Sequence, residues 1–287
     1  MTRTQHTQKN YRILRSEIIG KGATSTVYKG YDRVTKEEYA FKLVNLSRLP
    51  CVAKRQSKQE LQLLQKLNHL RSTPEIIDTI QRGAEICFVM KLIQGKKMSY
   101  LLKKYPNGIS DSIAPFLFKS ILMAVGEIHN AGVCHLNLSL NSLMFDTVQS
   151  TIKIVNFRSA KETRFICDGI SIPVYHRDFC GSIPYAAPEV VAQEEYDGTK
   201  VDIWSVGVIF YVLMFNQLPF EHFENDADAI FRKISRVAIY YPPNISPDLR
   251  SLFENIFTAD PDARLSAKEL LEHPFFFCTR KYIKPWV

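Results

Sequence analysis

The stretch from His135 to Arg158 constrains this chain most. It reads His135-Leu136-Asn137-Leu138-Ser139-Leu140-Asn141-Ser142, then an apolar run, a polar break, Ile152-Lys153-Ile154-Val155, and finally Asn156-Phe157-Arg158. The polar residues at His135, Asn137, Ser142 and Asn156 bring no carboxylate into this framework. The 287 residues suffice for one large two-lobed domain or two ordinary ones. A hydrophobic fraction of 46% and a charged fraction of 23% are those of a soluble globular protein. The net charge of +8 favours acidic partners, phosphate ligands or anionic surfaces, unless it reflects only a solvated basic surface. None of the six cysteines forms a CxxC pair, so free thiols in a reducing compartment are expected. Residues 1–10 are polar and read as a flexible leader, not a secretory signal. The apolar run Ile203 to Phe215 is too short to span a bilayer and reads as a buried helix.

In chain order, Ile18 to Tyr28 reads as a strand, a turn containing Gly20 and Gly22, and a second strand. Small residues there let a backbone approach a phosphate and offer it N–H groups, although a plain hairpin turn would look the same. Tyr39-Ala40-Phe41-Lys42 continues as a further strand. Residues 53–69 show helical periodicity, with Leu61, Leu64 and Leu67 on one face and Glu60 on the flank. Cys87 to Met90 reads as a buried strand leading into Lys91-Leu92-Ile93-Gln94-Gly95. From Ser110 the pattern turns helical. Ile113 to Ala131 is a helix ended by Gly132. No internal repeat, linker or second domain is visible.

Taken together, these segments resemble the eukaryotic protein kinase superfamily over about residues 11–277. His135 to Ser142 and Asn156-Phe157-Arg158 are similar to the catalytic loop H-R-D-L-x-x-x-N and the metal-binding D-F-G. Cys180-Gly181-Ser182-Ile183-Pro184-Tyr185-Ala186-Ala187-Pro188-Glu189 is similar to G-T-x-x-Y-x-A-P-E. Val201-Asp202-Ile203-Trp204-Ser205-Val206-Gly207 matches D-x-W-S-x-G, and Asp260 to Arg264 with Glu269 to Phe276 resembles the last helices. The C-terminal half looks most like the calmodulin-dependent-kinase-like serine/threonine group. The resemblance implies an α+β, bilobal protein kinase fold. A small β-rich N-lobe with one regulatory helix would cover about 11–90, a hinge 91–95, a larger helical C-lobe 96–277 and a C-terminal tail 278–287.

The same resemblance assigns roles. Lys42 and Glu60 would pair to position the nucleotide phosphates. Gly20, Gly22, Ser25 (in place of the third loop glycine), Val27, Ala40, Met90, Leu92 and Met144 would line the nucleotide, with Val155 beside them. Leu64, His135 and Phe157 would form an apolar stack. Asp202 would anchor the catalytic-loop backbone, and Glu189 and Arg264 would form a buried ion pair.

Against this retained framework, the chemistry is degraded. Asn137 replaces the base Asp, and an amide can orient a hydroxyl but takes up no proton at neutral pH. Asn156 and Ser142 replace the two metal ligands, and the alternative register through Asn141 restores no charge; Mg²⁺ usually requires a carboxylate. Leu136 replaces a phosphate-reading Arg and Ser139 an assisting Lys. Arg158 replaces the D-F-G glycine, either as a cation near the phosphates or as an ordinary surface residue.

The expectation is a cytoplasmic pseudokinase that scaffolds or regulates a protein partner, such as an active kinase or its substrate. ATP is its candidate ligand, Mg²⁺ is weak or absent, and no specific nucleic acid or membrane span is involved. The alternative is a serine/threonine kinase with low or rewired activity.

Overall fold

Alternation along Glu38–Asn45 sets the architecture of the first half. Successive strand side chains face opposite ways, so Tyr39, Phe41 and Leu43 share one face and Ala40, Lys42 and Val44 the other. The computed structural model describes residues 10–167, 169–221 and 226–277. It contains an antiparallel sheet of β1 (Tyr11–Lys21), β2 (Ser25–Asp32), β3 (Glu38–Asn45), β4 (Ile76–Arg82) and β5 (Glu85–Lys91). The strand order is β1-β2-β3-β5-β4, which places β1 and β4 at the two edges. Tyr39, Phe41 and Leu43 cluster with Cys87 and Val89 as an apolar core on their face.

The helix α1 (Cys51–Lys66) buries Ser57, Glu60, Leu63 and Leu64. It begins two residues before the expected span, directly after Pro50, whose fixed φ suits a helix entrance.

The chain divides into two compact units. The first runs to His69 and resumes from Pro74 to Ile93; the second takes Leu70–Thr73 and everything from Gln94. Within the expected N-lobe of about 11–90, residues 70–73 thus group with the second unit. Their hydrogen bonds explain this grouping. The Ser72 N–H donates to Glu127 Oε2 (3.1 Å), the Ser72 carbonyl accepts from the Ile154 N–H (2.7 Å), and the Thr73 carbonyl accepts from Lys153 Nζ (3.3 Å). The expected leader and the tail from 278 lie outside the described residues, except for Asn10, whose carbonyl accepts from the Arg33 N–H (2.8 Å).

The second unit is mainly helical: β6 (Gly95–Lys97), α2 (Tyr100–Lys104), α3 (Ala114–Asn130), β7 (Val133–Cys134), β8 (Leu143–Asp146), β9 (Thr151–Ile154), β10 (Lys161–Glu162), β11 (Arg164–Cys167), β12 (Ile170–Pro173), α4 (Pro188–Val191), α5 (Gly198–Phe215), α6 (Ala227–Ser235), α7 (Pro247–Ile256) and α8 (Ala267–Leu271). Its core lies around α5. That helix has 18 residues at a mean hydropathy of 1.4, long and apolar enough by composition to cross a membrane, yet 83% of it is buried within the fold. It is the central helix of a packed unit. It is longer than the apolar run in the sequence because it starts at Gly198, where the Asp197 carboxylate accepts from the Thr199 N–H (2.8 Å) as an N-cap. Glycine is required at that start, since a Cβ on Gly198 would lie 2.4 Å from Cys134 Sγ. Phe210 of α5 stacks on Phe118 of α3 at 3.8 Å between ring centroids.

A buried ion pair sits inside this core. Arg264 is 1% exposed and grips Glu189 with two bonds, Nη1 to Oε1 at 2.8 Å and Nη2 to Oε2 at 3.0 Å. Its remaining donors reach the Thr258 and Lys200 carbonyls, and its guanidinium lies 5.0 Å over the Trp204 ring. All described cysteines are free thiols.

Candidate functional site

In the first unit, strand register places Val27 opposite Lys42 and Lys42 opposite Phe88. Lys42 Nζ is 2.6 Å from Glu60 Oε1, with the Glu60 side chain only 2% exposed. The ammonium also lies 5.7 Å over the Phe88 ring. A buried pair of this kind holds β3 and α1 at a fixed spacing, because separating the charges would strand one without water. Ala40 pairs with Met90 across β3 and β5, and Leu92 is half-buried just beyond β5.

At the β1–β2 turn, the Gly22 N–H donates to the Ser25 carbonyl (2.9 Å). A Cβ on Gly20 would make only ordinary contact with Val27 at 3.5 Å, and one on Gly22 would stand 3.6 Å from the Ser25 carbonyl. Neither has the left-handed φ that favours glycine, so the fold by itself does not demand glycine at either position.

In the second unit, Asp202 organises the loop after β7. It is 0% exposed and accepts from the His135 N–H (2.7 Å), the Leu136 N–H (2.8 Å) and His129 Nε2 (3.0 Å). These bonds hold Leu136 at φ 57, a left-handed conformation that a leucine adopts only under constraint. The His135 ring packs edge-on against Phe157 at 5.1 Å, and its Nε2 is 3.1 Å from the Val155 carbonyl. Asn137 is half-buried beside this histidine, its N–H directed at His135 Nδ1 (3.3 Å).

Ser142 is 2% exposed, and its hydroxyl is used within the loop. It accepts from the Ser139 N–H and donates to the Ser139 carbonyl, both at 2.9 Å. Asn156 is exposed at φ 71, and Phe157–Ser159 forms a short 3-10 turn holding Arg158, which is half-buried. Among the described residues no group of three or more His, Cys, Asp or Glu is placed to hold a metal ion.

A protein kinase domain model matches residues 13–276. The chain belongs to the protein kinase domain family. Similar curated proteins include CBL-interacting serine/threonine-protein kinase 5 of Arabidopsis thaliana, 31% identical over 90% of this chain and 56% of its own length. CBL-interacting protein kinase 25 of Oryza sativa subsp. japonica is 29% identical over 90% of this chain and 50% of its own length. The probable serine/threonine-protein kinase MARK-A of Dictyostelium discoideum is 28% identical over 97% of this chain and 25% of its own length. The chain thus spans about half the length, or less, of these relatives.

The fold is accordingly the α+β kinase fold, with a β-rich N-lobe and a helical C-lobe. Of the residues expected to line a nucleotide, Gly20, Gly22, Ser25, Val27, Ala40, Lys42, Glu60, Met90 and Leu92 lie in the first unit and Met144 and Arg158 in the second. Leu64 is buried on α1. Leu136, expected from the resemblance to replace a phosphate-reading Arg, is buried. It is 2% exposed and its Cδ2 lies 3.1 Å from where a Cβ on Gly198 would stand.

Sequence reasoning missed a hairpin beyond β10. β11 and β12 form it between Phe157 and the Cys180–Glu189 motif, with Phe165 opposite Ile172 and Cys167 opposite Ile170. Arg164 ties its base to the Asn130 carbonyl at the end of α3. The dipeptide Asp168-Gly169 between apolar residues was the available signal, a strong hairpin marker. Nearby, His176 Nε2 lies 3.8 Å from the buried Cys134 thiol. Burial pushes the Cys134 thiol up and the His176 imidazole down, so both are held in their neutral forms.

Proposed function

We propose that this kinase domain carries out little or no phosphotransfer and acts through protein contacts, holding any nucleotide without a metal ion. The observation that carries the reading is the state of the catalytic loop. Its framework, Asp202 with the His135 and Leu136 backbone, is fully bonded, while Asn137 stands at the proton-accepting position and the Ser142 hydroxyl is spent on Ser139. A base or proton acceptor near the substrate hydroxyl and metal ions that neutralise phosphoryl charge are what kinases require. An asparagine in place of the base forfeits assistance worth ~10²–10⁴ in rate.

A second reading, a serine/threonine kinase of low or rewired activity, is favoured by the intact Lys42–Glu60 pair and by the kinases among the similar proteins. Radiolabelled transfer from ATP to a serine/threonine peptide mixture separates the two. The proposal expects incorporation indistinguishable between the natural chain and Lys42→Ala. Incorporation by the natural chain that Lys42→Ala abolishes establishes the second reading instead.

A further inference from the structure

From Tyr39 to Gln59 the chain carries Lys42, Arg48, Lys54, Arg55 and Lys58 and not one Asp or Glu. Lys42 turns inward to Glu60. The other cations stand outside. Arg48 is exposed on the 3-10 turn Leu46–Arg48 that leads into α1, Arg55 and Lys58 are exposed on α1 itself, and Lys54 is half-buried beside them. Positions three and four apart share a helix face. Lys54, Arg55 and Lys58 therefore form one stripe, which the exposed Gln62 and Lys66 extend to the end of the helix. Glu60 is the only carboxylate of α1, and it is buried with Lys42 on the opposite side. Among the described residues no ion pair includes Arg48, Lys54, Arg55 or Lys58.

This arrangement works against the helix. Cations near a helix N-terminus oppose its dipole, and the first turn of α1 holds no acid and no side-chain cap to offset them. Lys54 and Lys58 are like charges four positions apart, which repel on a helix surface. A local rule broken without a compensating contact inside the fold is the mark of a functional surface.

We propose that this face of α1 docks an acidic segment of a protein partner, whose Asp and Glu side chains meet Lys54, Arg55 and Lys58, with Arg48 at one end. The stripe from Lys54 to Lys66 is about 18 Å long, the reach of about five extended residues. The chemistry of the face favours carboxylates carried by protein. Among the described residues of α1, Val52 is the one large apolar side chain exposed, too little for a helix that lies in a lipid interface. The helix has no aromatic residue on which a base could stack. Gln62 and Gln65, both exposed, add amide donors suited to carboxylate oxygens. The proposal names a partner class for the protein contacts proposed above and rests on that reading.

The test is fluorescence anisotropy of a fluorescein-labelled, glutamate-rich decapeptide titrated with the full chain, without nucleotide, at near-physiological ionic strength, where distant surface charges are screened. Saturable binding is expected. Lys54→Glu/Arg55→Glu/Lys58→Glu should weaken it by about tenfold or more, because like charges then face each other across the interface. Lys54→Gln/Arg55→Gln/Lys58→Gln, which only removes charge, should weaken it in the same direction. Lys96→Glu/Lys97→Glu/Lys103→Glu changes the net charge as much as the first variant, at exposed positions away from α1, and should leave binding within about twofold. Lys54→Glu alone creates a Glu–Lys pair with Lys58 and should melt no lower than the natural chain while binding the peptide less well. Absence of saturable binding, equal loss from the Lys96, Lys97 and Lys103 changes, or indifference to the α1 changes in chains that melt normally would overturn the proposal. So would tighter binding, through the same three α1 residues, of a labelled DNA duplex or of phosphatidylserine vesicles. The assay contains no nucleotide and reads no phosphotransfer, so each of these failures removes the α1 face and leaves the reading of the catalytic loop to the transfer assay.

Discussion

Changing Asn137→Asp, Asn156→Asp, Ser142→Asn and Arg158→Gly together should raise phosphotransfer by at least ~10²-fold over the natural chain, the lower end of what general-base assistance supplies. The four changes depend on one another. Asn137→Asp alone returns a proton acceptor to a loop that Asp202 already holds in shape, but it leaves no charge for a metal. Asn156→Asp supplies one carboxylate at an exposed position, where Mg²⁺ could be taken up with substrate phosphates and water. Ser142→Asn removes the hydroxyl that now bonds to Ser139 on both sides and offers a side-chain carbonyl in its place. Arg158→Gly removes a cation that would compete with a metal. The assay is radiolabelled transfer from ATP to the serine/threonine peptide mixture, with Lys42→Ala added to the four changes as a control that should lose the gain. A quadruple variant that stays inactive while folding normally places further defects at other positions, with Leu136 and Ser139 the next candidates.

The second large effect is on stability. Glu189→Ala should destabilise the domain by about 3–5 kcal/mol, the cost of breaking a buried pair from one side. Arg264 cannot turn to water, since its side chain is 0% exposed and its other donors are fixed on Thr258 and Lys200. The guanidinium would keep its charge and lose two charge-assisted bonds. A domain of this size loses ~2–4 °C of Tm per kcal/mol, so the melting temperature should fall by on the order of 10 °C. Glu189→Gln, which keeps the shape and one acceptor, should fall less. Calorimetry that finds the alanine variant within a degree or two of the natural chain would show that the pair carries none of this load.

The order of elements was legible because each segment carries its own local signal. Gly132 ends the helix α3, alternation marks β3, and the apolar run Ile203 to Phe215 marks α5. The pairs of distant residues, Lys42 with Glu60 and Glu189 with Arg264, were legible only through the family resemblance, since nothing local connects residues so far apart in the chain. Other features depended on three-dimensional closure. Leu70–Thr73 reads as loop, and only its bonds to Glu127, Lys153 and Ile154 assign it to the second unit. The Ser142 hydroxyl could have faced a metal or its own loop, and sequence does not distinguish the two. The β11–β12 hairpin was readable in principle from Asp168-Gly169. Its apolar side chains remain in the open, with Ile166 at 76% and Ile170 at 66% exposed.

The most direct test of the central claim is a thermal-shift titration of the natural chain with ATP, with and without Mg²⁺ or Mn²⁺. A ligand that binds only the folded state raises its stability by mass action. Lys42 paired with Glu60 provides a cation for phosphates, whereas Asn156 and Ser142 provide no charge for a metal. Any rise in melting temperature with ATP should therefore be the same with and without the metal. A rise that appears only with Mg²⁺ or Mn²⁺ would contradict this account of the catalytic loop and restore the domain to the metal-dependent kinases.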